Sequence, residues 1–276
     1  MKKTLVILLS TILIFGCSNG KNQEENTQTA NNTQSKAPMA KAEKIITEMV
    51  DEIGGQNALK DLFDVEYTYI YESPEGHRDV SKERYIFDGE LSWAEYLERS
   101  DKMMPNYQGT IIQSYNGDST VTTVDGKQVD TPEINKRSDF LRKTNFYWFV
   151  MNFKLLDPGV NLKYNGVRLY NGINYEMVEV NFDEQTGDVQ DKYLLYINPN
   201  TKLIDQFLFT VKDYGLEQPF MMRVKYEEIE GVKLTTYREY ALSNWDGDIV
   251  QDQWTKEWSE DISFNNGFTV DDFRLK

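Results

Sequence analysis

The sequence predicts an α+β fold in which a large antiparallel sheet carries a few helices. Three observations lead there. Short apolar–polar alternations recur along most of the chain and are separated by compact turn motifs. Two segments instead carry apolar residues at helical spacing. Aromatics reach 13% of residues, with 17 tyrosines the largest share, a composition suited to half-buried sheet surfaces.

The first helical segment is AKAEKIITEMVDEIGG, where Ala42, Ile45, Ile46, Met49, Val50 and Ile53 share a face and Gly54-Gly55 supplies the stop. A short second helix, NALKDLF, precedes VEYTYIYE, in which Val65, Tyr67, Tyr69 and Tyr71 alternate with polar residues as in a strand. Similar alternation recurs around residues 80–88, 91–98, 108–115 and 119–124, and again through Val178 to Phe182, Tyr193 to Ile197, Leu203 to Val211 and Phe220 to Tyr226. Turns are expected at Asn165-Gly166, Asn171-Gly172, Asn198-Pro199-Asn200 and Glu230-Gly231. Strands so closely spaced form an antiparallel meander.

Between the two blocks of strands lies NFYWFVMNFKLLDPG, the densest apolar stretch outside the N-terminus. It predicts a helix entered at Thr131-Pro132 and stopped by Asp157-Pro158-Gly159. Phe146, Phe149, Val150 and Phe153 occupy one face, while Tyr147, Met151 and Leu155 occupy another. Its apolar run is too short to cross a bilayer, which takes about 20 residues. A helix apolar on both sides is sandwiched, either by protein alone or by protein and ligand. A packed core accounts for Phe149 and Phe153. The second face, together with the adaptable Met221-Met222 on a strand, favours a ligand wall lined by Tyr147, Trp148, Met151, Leu155, Met221 and Met222.

The N-terminus is of another kind. MKKTLVILLSTILIFGC has a basic start at Lys2-Lys3, an apolar stretch from Leu5 to Phe15 and a small residue before Cys17, the chain's single cysteine. It resembles the lipobox of bacterial lipoprotein signals. That resemblance implies a signal peptide over residues 1–16, cleavage before Cys17 and acylation of this residue, which would consume the one thiol. Several acyl chains, at about 0.8 kcal/mol per buried CH₂, make a stable membrane anchor. Residues 17–38 contain no aromatic or large aliphatic side chain before the last proline and are expected to be a disordered tether, with a coil span of about 25 Å. A single folded domain is then expected over residues 39–276.

Charge and composition narrow the partners. The formal charge is −15, and removal of Lys2 and Lys3 with the signal takes it to −17. Such a chain is a poor match for nucleic acid or for an anionic membrane surface. His77 is the only histidine and sits in the turn-like SPEGHR, no serine lies in a nucleophile elbow, and neither Asp246-Gly247-Asp248 nor Gly187-Asp188-Val189-Gln190-Asp191 has calcium-loop spacing, so both acidic clusters read as solvated turns. No catalytic residue, metal site or cofactor is expected, and the chain reads as a binding protein rather than an enzyme. Trp254 and Trp258, joined by Ile262, share a face of QWTKEWSEDIS and would cover a sheet surface or offer a stacking platform.

The opening AEKIITEMVDEIGGQNALKDLFDVEYTY, the hairpin YLLYINPNTKLIDQFLF and the pair VKYEEIEGVKLTTYREY resemble bacterial outer-membrane lipoprotein-sorting proteins of the LolA/LolB type. NFYWFVMNFKLLDPGVNLKYNGVRLYNGINYEMVEVNF is similar to a lipoprotein branch of that group. The resemblance implies that the sheet is curved into an incomplete β-barrel, with helices on its concave face and a greasy cavity between. It also implies a lipid-anchored protein of the cell envelope, at the outer membrane, binding an acyl chain, a lipid or a lipidated partner. The alternative is a surface-exposed lipoprotein that binds glycan or protein without a ligand cavity.

Overall fold

Strands β1 (Asp64–Glu72), β2 (Arg78–Ile86), β3 (Leu91–Glu98), β4 (Ile111–Tyr115), β5 (Thr120–Val124) and β6 (Lys127–Gln128) form one arm of the fold. Strands β7 (Val160–Tyr170), β8 (Ile173–Phe182), β9 (Tyr193–Ile197), β10 (Ile204–Val211), β11 (Leu216–Ile229), β12 (Val232–Leu242) and β13 (Thr255–Phe264) form the other. The computed structural model describes residues 24–100, 104, 106–183, 191–212 and 215–275, with side chains from Pro38 onward. All its strands belong to a single antiparallel sheet in the order β6-β5-β4-β3-β2-β1-β13-β12-β11-β10-β9-β8-β7. Each arm is a meander, and the first strand closes against the last through β1 and β13. The two ends of the sheet, β6 and β7, do not pair, so the barrel stays open.

Helices α1 (Glu24–Glu52) and α2 (Ala58–Asp61) come before the sheet, and α3 (Pro132–Lys154) links its arms. The backbone is thus helical from Glu24, where a coil was expected; residues 17–23 lie outside the described residues. From Pro38 the chain forms one compact unit. There Ala42, Ile46, Met49, Val50 and Ile53 are buried in the main core with Ile197, Ile204, Val232 and Leu234. Lys202 and Lys233, beside the β9–β10 and β11–β12 turns, pair with Glu48 and Glu52 at the rim of this contact.

The turns are built as their residues demand, with one exception. Asn171-Gly172 and Glu230-Gly231 hold consecutive positive φ angles of 47° and 82°, and of 50° and 78°, the mirror-type turn that suits the twist of a hairpin. Asn165-Gly166, expected as a turn, instead lies inside β7, where the register with β8 slips between Tyr164 and Val167. It is a bulge. The positive φ of 89° at Gly166 takes up the extra residue without ending the strand.

The convex side of the sheet carries its own apolar padding. Tyr175, Met177, Leu194, Tyr196, Leu208 and Met221 are buried there beneath Trp245, Ile249 and Trp254. The turn above them is tied by Asn244, whose side-chain oxygen accepts the N–H groups of Asp246 and Asp248 at 3.0 Å each, so Asp246-Gly247-Asp248 is a turn. The other acidic cluster lies outside the described residues up to Asp191. The C-terminus pads the other arm, where Phe273 is buried against Leu91 and Trp93. Asp64 fastens this tail by accepting the N–H groups of Asn266, Gly267 and Phe268 at 2.7–2.9 Å.

β13 corrects one expected face. Trp258 stays on the convex side, but Asp261 takes a φ of 54° and the register with β1 slips beside it. Ile262 therefore packs against the main core, and no continuous row joins it to Trp254 and Trp258. A bulge inverts the side-chain alternation beyond it.

Candidate functional site

Helix α3 starts at Thr131, whose Oγ1 accepts the N–H of Ile134, followed by Pro132 at the first helical position. Its residues then fall into stripes. Ser138, Arg142, Phe146, Phe149 and Phe153 form the stripe that faces β1–β5. At its start the contact is polar: Gln113 donates to the Ser138 hydroxyl at 2.9 Å, and Thr122 lies 2.7 Å from it. Farther along it is aromatic, with the Phe149 ring stacked 5.0 Å from Tyr67 and 6.2 Å from Phe87.

Between these two zones sits a fully buried ion pair. Arg142 donates to both carboxylate oxygens of Glu83, at 2.5 and 3.1 Å, and both side chains have 0% exposure. Ser81 and Tyr85 also donate to Glu83, at 2.7 and 3.1 Å, and the Asn145 amide donates at 3.4 Å. Burial opposes the guanidinium charge, but Glu83, with Tyr96 and Tyr85, outweighs it and raises the Arg142 pKa. Burial also pushes the neighbouring Tyr96 hydroxyl up to about 12, which keeps it protonated as the donor to Gln113. On the second arm, Arg238 pairs with Glu257 at 3.1 Å and donates to the carbonyl of Trp148 at 2.9 Å, fixing the C-terminal half of α3 to β12 and β13.

The opposite side of α3 looks into a trough. Its volume is about 1350 Å³, above the roughly 300–1,000 Å³ usual for small-molecule sites. Its floor is the concave sheet, with Tyr69 and Tyr71 from β1, Phe209 from β10, Phe220 and Met222 from β11 and Tyr240 from β12. One wall is α3, presenting Tyr147 and Trp148 at its C-terminal half and Lys136, Arg137, Phe140 and Lys143 at its N-terminal half. The β1–β2 hairpin tip, with Pro74, Glu75 and His77, forms part of the mouth.

The six side chains expected to line a ligand wall are not brought together. Tyr147, Trp148 and Met222 line the trough. Met151 and Leu155 are buried in the core at 4% and 2% exposure, because the helix is gripped from both arms and its second apolar face meets protein over most of its length. Trp148 shows the grip, stacked 5.8 Å from Phe207 and edge-on 5.2 Å from Phe209. Met221 points to the convex side, packed with Tyr196 and Leu208, since neighbours on a strand face opposite ways. Cys17 lies outside the described residues. His77 is at the hairpin tip, its carbonyl accepting the N–H of Ser73.

The sequence reading missed Glu83, Arg142, Arg238 and Glu257. A signal was present for Glu83, which falls in the inward row Ser81, Glu83, Tyr85, Phe87 of an otherwise regular alternation. Arg142 stands four residues before Phe146 and seven before Phe149, on the buried stripe. The floor tyrosines were read as strand residues, but only the curvature of the sheet gathers them around one space.

Residues 134–239, which hold most of α3 and the second arm through most of β12, match the model of a family of unknown function, DUF6503. No curated protein matches the chain by sequence. Among solved structures, a domain assigned as an outer membrane lipoprotein-sorting protein from Vibrio parahaemolyticus aligns over 86% of this chain and 97% of its own, at 10% identity and a TM-score of 0.50. A LolA superfamily protein from Nitrosomonas europaea aligns over 84% of this chain and 97% of its own, at 12% identity and a TM-score of 0.52. At these identities the likeness concerns the backbone alone, and it establishes that the chain has the LolA-type fold: one open, curved antiparallel sheet with helices on its concave face.

Proposed function

We propose that this chain is a lipid-anchored cell-envelope protein that takes a hydrophobic ligand, an acyl chain or the lipidated part of a partner, into the trough between α3 and the sheet. The observation that carries the reading is the trough itself, about 1350 Å³ floored by Tyr69, Phe209, Phe220 and Met222. An open trough of this size beside an aromatic sheet face leaves room for a guest that would bury that face. An aromatic and methionine lining suits a flexible apolar guest. The resemblance of the first 17 residues to a lipoprotein signal supports the anchor, and the sorting function named for the Vibrio parahaemolyticus relative supports an outer-membrane setting. An anchored protein of this kind receives or presents its ligand rather than ferrying it freely. The reading assigns no reaction.

The test is native mass spectrometry of the purified domain, followed by titration with a fluorescent acyl probe. Co-purifying lipid, or saturable probe uptake at one site, is the expected result; a ligand-free protein that takes up no probe would sink the proposal. The anchor is tested separately. Cys17→Ser should move the protein from the membrane fraction to the soluble one with an unchanged melting temperature, and a variant still membrane-bound after a carbonate wash would rule the anchor out.

A further inference from the structure

The trough wall is not uniform along α3. Its C-terminal half offers Tyr147 and Trp148, whereas its N-terminal half offers Lys136, Arg137 and Lys143. Lys143 is held by Asp139 at 2.9 Å, and that carboxylate also accepts from Thr120. Lys136 and Arg137 are exposed, and the described residues give neither an ion-pair partner. What sets this pair apart is its place, on the lining of a trough whose other end is aromatic.

We infer that the trough binds an amphiphile with an anionic head, its tail running past Trp148 and Tyr147 and its carboxylate or phosphate held by Lys136 and Arg137. This rests on the proposed binding of a hydrophobic ligand and specifies its class. Other carboxylates of the lining are engaged elsewhere: Glu90 and Asp157 pair with Lys154, Glu257 with Arg238 and Asp139 with Lys143. Asp79 already accepts the N–H of Ser100 at 2.6 Å, and Glu75 accepts from Ser73 at 2.8 Å. The overall negative charge acts from farther away, and at physiological salt it is screened beyond about 8 Å. Contacts to the pair act at hydrogen-bond distance, where charge-assisted bonds are strong. A neutral lipid would leave both cations without a counter-charge.

The experiment is displacement of Nile red, a neutral dye, from the purified domain by four competitors: palmitate, palmitoyl lysophosphatidate, hexadecanol and palmitoyl lysophosphatidylcholine. Palmitate and lysophosphatidate separate a carboxylate from a phosphate head. At least one of them should displace the dye about tenfold more effectively than either uncharged or zwitterionic competitor, the scale of one charge-assisted hydrogen bond. The advantage should shrink with added salt. The K136A/R137A double variant should lose that advantage with the melting temperature unchanged. Equal displacement by all four competitors, or an anion preference that survives in the double variant, overturns the anionic-head inference and leaves the apolar trough standing. Failure of the wild type to bind Nile red or any competitor overturns both.

Discussion

The two halves of α3 are held by opposite kinds of chemistry. From Ser138 to Arg142 the helix meets β2–β5 through hydroxyls, an amide and a buried ion pair. From Phe146 to Phe153 it is wedged between aromatic rings of both arms, Tyr67 and Phe87 on one side and Phe207 and Phe209 on the other. The difference teaches what each kind of contact contributes. Aromatic contact is tolerant of small shifts and leaves room for a neighbouring cavity. A bidentate carboxylate–guanidinium pair fixes one orientation. A polar contact of this kind is suited to setting the angle at which α3 crosses the sheet, and the aromatic half adds Tyr147 and Trp148 to the trough wall.

The comparison breaks most sharply at Glu83. Glu83→Leu should cost about 5 kcal/mol in urea denaturation, the upper end for stranding one member of a buried pair, because Arg142 Nε already lacks a partner among the described residues. Adding Arg142→Met should recover most of that loss, since a buried pair replaced by apolar side chains is often neutral. If the stability returns while probe uptake does not, the pair orients the helix; if both return, it does not.

In the aromatic half, Phe149→Ala should cost about 3 to 5 kcal/mol, as truncation of a buried phenylalanine packed among aromatic rings does. Tyr147→Ser, on the trough side of the same turn, should cost only about 1 kcal/mol and instead weaken acyl-probe uptake by roughly tenfold. Equal melting shifts for the two variants with unchanged uptake would erase the distinction between core side and ligand side. The smallest effect is expected at the helix entrance. Thr131→Ala should lower stability by about 0.5 kcal/mol, the low end for an N-cap, because its hydrogen bond to Ile134 is long at 3.4 Å. Probe uptake should not change.

The same contrast decides how much could be read without coordinates. Apolar periodicity and the start signal at Thr131-Pro132 located α3, and alternation located strands such as β1, β3 and β9. The polar half of α3 escaped because Arg142 and Glu83 look like solvated residues until each is seen facing the other, 59 positions apart in the chain. The expected wall was legible only in part: Tyr147, Trp148 and Met222 line the trough, whereas the burial of Met151 depends on a second arm whose approach no local pattern encodes.

What this sequence determines by itself is therefore local: where strands alternate, where Asn171-Gly172 and Glu230-Gly231 reverse the chain, and where Thr131-Pro132 begins a helix. These follow from backbone preferences and side-chain spacing within a few residues. Tertiary structure decides the rest. It makes Asn165-Gly166 a bulge rather than a turn, because β7 has β8 to pair with on both sides of it. It turns Ile262 inward through the slip at Asp261, and it sends Met221 and Met222 to opposite faces once the sheet defines an inside. Pairing, burial and curvature are properties of segments brought together across the fold, so the trough arises only when the two arms close around α3.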